Sequence, residues 1–122
     1  MMAGSDLGGG FVIAGFGLHQ EFDLLEQAGL SPLEVLQMTT LDGAKFLGRE
    51  ATMGSVQAGK DANVVLLRAN PLASVQNLHA IAAVVRGGKF FAAGALDAMK
   101  KKTEARVSSG LLSFVAVRPP CC

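Results

Sequence analysis

A chain of 122 residues has room for one domain with its own core, and its half-hydrophobic composition and mean hydropathy of +0.38 first raise the question of a membrane span. The longest apolar run near the start, Phe11 to Leu18, is eight residues against the roughly 20 that a bilayer requires, and the segment before it holds Asp6 and no Lys or Arg, which excludes a span or a signal peptide there. A net charge of +1, clustered only at Lys100–Lys102, excludes a nucleic-acid-binding face, and the adjacent Cys121 and Cys122 offer no disulfide framework, so a reducing, cytoplasmic setting is expected.

The chain opens on Met1-Met2-Ala3-Gly4-Ser5-Asp6-Leu7-Gly8-Gly9-Gly10, a carboxylate and three glycines where a disposable end is usual. Leu18 to Leu30 carries apolar residues at Leu18, Phe22, Leu25 and Ala28, the three-and-four spacing of an amphipathic helix, with Gly29 as its left-handed stop. Ser31-Pro32-Leu33-Glu34 restarts a helix with the elements of a capping box, and Leu33, Leu36 and Val35 are expected on its apolar face. A third short helix is expected from Asp42 to Leu47, stopped by Gly48. The grammar then changes. Gly54 to Asp61 is turn-rich, Ala62 to Leu67 and Ile81 to Val85 read as strands, and Arg86-Gly87-Gly88-Lys89 is a tight turn into a third strand, Phe90 to Ala93. Beyond Gly94, a charged helix over Ala95–Arg106 and a strand over Leu111–Val117 are expected.

Gly54-x-x-x-x-Gly59-Lys60 matches most of a phosphate-binding loop, but Asp61 stands where Ser or Thr must hold magnesium, and the segment runs into a strand rather than a helix. It is read as a hairpin turn. The two histidines, His19 and His79, lie sixty residues apart without a ligand at short spacing, so no zinc motif is assembled. His19 reads as a polar or capping residue, with ligand or substrate contact as its alternative, and His79 as a partly buried loop histidine. Asp6 could be a strand-end acid under a glycine loop or a solvated terminal residue; the residues alone leave both open.

The order of the motifs carries a resemblance. Gly4-Ser5-Asp6, the glycine-rich loop, Leu18-His19-Gln20-Glu21-Phe22 and Ala28 to Leu36 come first. Thr39-Thr40, Ala44 to Gly48, Gly54 to Val65, Asn70-Pro71-Leu72 and Val84 to Lys89 follow. This series resembles the C-terminal end of metal-dependent amidohydrolases, in the branch near imidazolonepropionase and the prolidase-like enzymes, over roughly residues 3 to 93.

The resemblance implies an α/β fold: the last strand and following helices of a (β/α)₈ TIM barrel, plus part of a small antiparallel β-sandwich. It divides the chain into a barrel end at 1–48, a sandwich portion at 49–94 and a tail at 95–122. By the same match Asp6 is the catalytic and metal-facing carboxylate, accepting a proton from water activated by a divalent metal, zinc above all. Gly8, Gly9 and His19 would border the substrate. The expected substrate is a small-molecule amide or cyclic amide, with no nucleic-acid or membrane partner. Two departures stand out. Asn63 replaces the aspartate of the family's Gly-Lys-x-Ala-Asp-Leu-Val pattern, which weakens an expected hydrogen bond in the β unit. The family's His-x-His pair and its other metal ligands belong to earlier strands and are not in this sequence. The chain is therefore expected to open in the middle of a larger fold, to bind no metal tightly alone, and to be inactive in isolation. An association module, or a remnant that self-associates through exposed apolar surface, is the alternative.

Overall fold

The computed structural model describes residues 1–4 and 15–115, with side chains described as far as 108. Its elements follow in order: α1 (Gly17–Gln27), α2 (Pro32–Thr39), α3 (Leu41–Phe46), β1 (Val64–Leu67), a 3₁₀ helix (Val75–His79), β2 (Ile81–Arg86), β3 (Lys89–Ala92) and α4 (Ala93–Val115). Helices and an antiparallel sheet together make an α/β mixture. The strand expected to carry Asp6 falls outside the described residues.

The helix boundaries follow local chemistry. Gly29 (φ +95°) and Gly48 (φ +64°) take the left-handed conformation just beyond α1 and α3, which costs a glycine little. At the start of α2 the Ser31 hydroxyl accepts from the Glu34 amide at 3.4 Å, while a Glu34 oxygen accepts from the Ser31 amide at 2.8 Å, completing the capping box. The Ser31 hydroxyl also donates to the Glu34 carboxylate, and these bonds hold the carboxyl below its ordinary pKa.

The buried face of α2 corrects the sequence reading. Val35 is fully buried and Met38 nearly so, whereas Leu33 is 52% exposed and Leu36 is half-buried. The contact is made by the stripe at 35 and 38, three residues apart on one side of the helix. Val35 joins Phe22 of α1 with Val75 and Leu78 of the 3₁₀ helix in one core, and Leu18, Leu25, Leu30, Leu36 and Leu67 pack around it.

The sheet has the order β1-β2-β3, both pairs antiparallel. Gly87 (φ +54°) and Gly88 (φ +76°) form the two-residue turn between β2 and β3, with the positive φ pair whose twist suits a hairpin. Asn63, just ahead of β1, accepts from the Gly87 amide through its side-chain oxygen at 2.9 Å. Asn63 thus makes a hydrogen bond within the β unit, because its side-chain amide, like a carboxylate, offers an acceptor oxygen. Asn63→Ala should cost about 1 kcal/mol and Asn63→Asp much less in urea unfolding, since only alanine removes the acceptor.

Gly54 to Asp61 connects α3 to β1 and is not the hairpin turn expected of it. Gly54 has φ +90°, and a Cβ built there would lie 2.6 Å from the Ala44 Cβ and 3.2 Å from the Thr40 carbonyl oxygen. Gly54→Ala should therefore destabilise the chain by about 2–4 kcal/mol, combining left-handed strain with overpacking. Gly59→Ala is the control for urea titration: it has φ +89° but open space, and should cost the strain alone.

The C-terminal region also differs from expectation. Ala93–Val115 is one continuous helix that packs on β2 and β3, so the strand expected from Leu111 is helical as far as Val115. A short apolar run does not by itself distinguish strand from helix, and here a helix is already running through Lys100–Glu104. Among the described residues, no helix is long and apolar enough to cross a membrane.

Candidate functional site

Polar residues of α1 gather along the side that meets the 3₁₀ helix. His19, Asp23 and Glu26 follow one another at spacings of four and three, which stacks them on one helical face beside the buried Phe22. Glu26 serves the start of the 3₁₀ helix: it accepts from the Val75 amide at 3.2 Å and from the Ser74 hydroxyl at 3.4 Å. Ser74 itself caps that helix by accepting from the Gln76 amide at 3.2 Å. Asp23 reaches along the element: one of its oxygens receives the Gln76 side-chain amide at 2.8 Å and faces Nε2 of His79, the last residue of the 3₁₀ helix, at 3.0 Å. Two carboxylates one turn apart thus hold both ends of a five-residue element.

His19 completes the cluster. Its ring lies 4.7 Å from that of His79 with 37° between planes, and makes an edge contact with Phe22 at 5.6 Å. His19 Nδ1 is buried and has no hydrogen-bond partner among the described residues. Burial of the ring, more than the neighbouring His79, holds the His19 pKa below its ordinary value.

Of the residues singled out from sequence, Asp6, Gly8 and Gly9 lie outside the described residues. His19 is the third residue of α1, whose N-cap is Phe16 without a side-chain hydrogen bond, so it is no capping residue. His79 is exposed and helical rather than a partly buried loop residue. The fold brings together the two histidines that sequence distance kept apart. Asp23, Glu26 and Gln76 were missed; the one available signal was the recurrence of acids at 23 and 26 on the helix flank that also carries Phe22.

The arrangement orients and holds; it does not assemble a nucleophile. Ser74 gives its proton to Glu26 rather than to either histidine. No group of three or more His, Cys, Asp or Glu among the described residues is placed to hold a metal ion, so these residues do not fit a metal centre. The loop at 54–60 likewise rejects phosphate: the Lys60 ammonium donates to the Glu50 carbonyl at 2.6 Å, the Ser55 hydroxyl at 2.7 Å and the Met53 carbonyl at 3.4 Å. Carbonyls converge there, where an anion would need N–H groups.

Three helices followed by a three-stranded antiparallel sheet, with a polar clamp between α1 and the 3₁₀ helix, make up the frame that can be compared with known proteins. The sequence profile of the amidohydrolase family matches residues 1–91, and the chain belongs to that family. It is 40% identical over 53 residues to a 5'-deoxyadenosine deaminase of Methanobrevibacter smithii, covering 43% of this chain and 12% of the deaminase. Among solved structures it is similar to a molinate hydrolase (TM-score 0.63, 25% identity, 66% of this chain and 17% of that one). It is also similar to phenylurea hydrolase B (TM-score 0.56, 32% identity, 60% and 16%) and to a Xaa-Pro dipeptidase with methionine bound (TM-score 0.57, 26% identity, 61% and 18%). The chain thus spans less than a fifth of the length of each of these relatives.

Proposed function

We propose that this chain forms the closing segment of a metal-dependent amidohydrolase that cleaves a carbon–nitrogen bond of a small molecule, and that by itself it has no hydrolase activity. The match to the family profile over residues 1–91 carries this reading. It is supported by the small share of each relative that the chain covers. In this reading the barrel end holds Asp6, the glycines beside it let the loop approach substrate, and the sheet belongs to a small sandwich completed elsewhere. Phe16, Phe46, Leu47 and Phe90, all more than half exposed, are the apolar surface that the rest of such an enzyme would cover.

A metal in such an enzyme would supply Lewis-acid activation of water; Asp6 would take the proton of the attacking water and pass it to the departing nitrogen. The test is a chimaera in which residues 1–91 replace the matching segment of phenylurea hydrolase B. Hydrolysis of that enzyme's own substrate by a folded chimaera, with none by the isolated chain under the same zinc supplement, is the expected pair of results. Turnover by the isolated chain, or a folded but dead chimaera, would overturn the proposal.

A further inference from the structure

The ring contact between His19 and His79 is a cluster of titratable groups that the proposed chemistry does not use. It lies at the boundary between α1 and the 3₁₀ helix, where the Asp23 and Glu26 bonds also cross. Its two members differ in surroundings. The His79 side chain is 40% exposed and has the Asp23 carboxylate against Nε2. The His19 ring is packed between Phe22 and His79, and among the described residues its Nδ1 finds neither donor nor acceptor.

We propose that the stacked pair is an acid-released joint: with His19 neutral the rings hold α1 against the 3₁₀ helix, and a proton on His19 parts them. In the neutral ring, Nδ1 needs no acceptor when the hydrogen is on Nε2. In the imidazolium both nitrogens are donors, so a buried N–H of a charged group would be left without a partner. The new charge would also stand against the ring of His79. Among the described residues, the groups facing His19 are His79 from the 3₁₀ helix, Asp23 on its own helix and Lys100 from α4; Glu26 is engaged with Ser74 and Val75. Asp23 alone of these favours the imidazolium, and it is already shared between Gln76 and His79.

The direction with pH follows. Burial first, His79 next and Lys100 last lower the His19 pKa from its ordinary 6.5, against the opposite pull of Asp23. The unfolded chain then takes up the proton before the folded one. The stabilisation is whole above the ordinary value and is lost as pH falls from it through the lowered folded value.

Thermal unfolding of the full chain between about pH 8 and about pH 5, beside His19→Phe, tests the joint, because phenylalanine keeps a ring and takes no proton. The wild-type midpoint should fall by about 3–5 °C more than that of His19→Phe across this range. An equal fall in both would overturn the proposal. Hydrogen exchange on the wild type provides a reading that does not depend on the variant folding. Corrected for intrinsic rates, protection of the Asn77 amide, bonded to the Ser74 carbonyl at 3.2 Å, should drop at acid pH at least about 10-fold more than that of the Val35 amide in α2. A parallel loss at both amides would mean general unfolding and would likewise overturn it.

Discussion

Asp6→Asn, made in the chimaeric amidohydrolase carrying residues 1–91, is expected to lower kcat by about 10²–10⁴-fold with KM little changed. Asparagine keeps the shape of aspartate and one acceptor oxygen, but it cannot take a proton from water near neutral pH. A residue that only filled space at the end of a strand would tolerate that exchange, whereas one that moves a proton during bond cleavage would not. The glycines that follow make a second variant informative. Gly8→Ala should raise KM more than it lowers kcat if the loop borders substrate, because an added methyl obstructs approach without removing the base. A chimaera with unchanged kcat on Asp6→Asn would remove Asp6 from the chemistry.

Phe22→Ala is expected to cost about 3–5 kcal/mol, enough to unfold a domain of ordinary stability. Phe22 is 8% exposed, and it touches the core of Val35, Val75 and Leu78 on one side and the His19 ring on the other. Its loss would open a cavity between elements contributed by both halves of the sequence, which backbone relaxation could fill only in part. Leu24→Ala, on the same helix but 59% exposed, is the comparison and should change stability by less than about 0.5 kcal/mol. The urea midpoint of each variant at fixed pH reads the difference. Equal small effects at both positions would mean that the core described around Phe22 does not hold the chain together.

Local chemistry made most of the elements legible in sequence. Gly29 and Gly48 stop their helices, Ser31 and Glu34 cap the next one, and Gly87-Gly88 turns the last hairpin, because each depends on neighbours within a few positions. Where tertiary packing decides, the reading slipped. Val35 and Met38, rather than Leu33 and Leu36, are the most buried residues of α2, because the direction of its packing is set by α1, α3 and the 3₁₀ helix, which periodicity alone does not orient. The apolar stretch after Ser109 continues a helix that began at Ala93, where a short apolar run suggested a strand. The Asp23–His79 and Glu26–Val75 contacts were invisible for a related reason. Their partners, a histidine ring and a valine backbone amide, belong to no recognisable motif, and only the fold supplies the proximity. Asp6 is the reverse case: its role was read from the order of motifs across the family and rests on that order still.

Asp23 and Glu26 reach their partners across 48 to 56 residues of chain, while the β2–β3 turn joins strands through two glycines. The entropy lost in closing a loop grows only as the logarithm of its length, and it is lost once however many bonds the closure brings together. The first of the contacts between α1 and the 3₁₀ helix therefore bears the whole closing cost. Each later one, whether hydrogen bond, ring stack or the burial of Val75, forms between groups already held near. Their grouping on one flank of α1 lets a single long closure be shared by all, so that they assemble and part together.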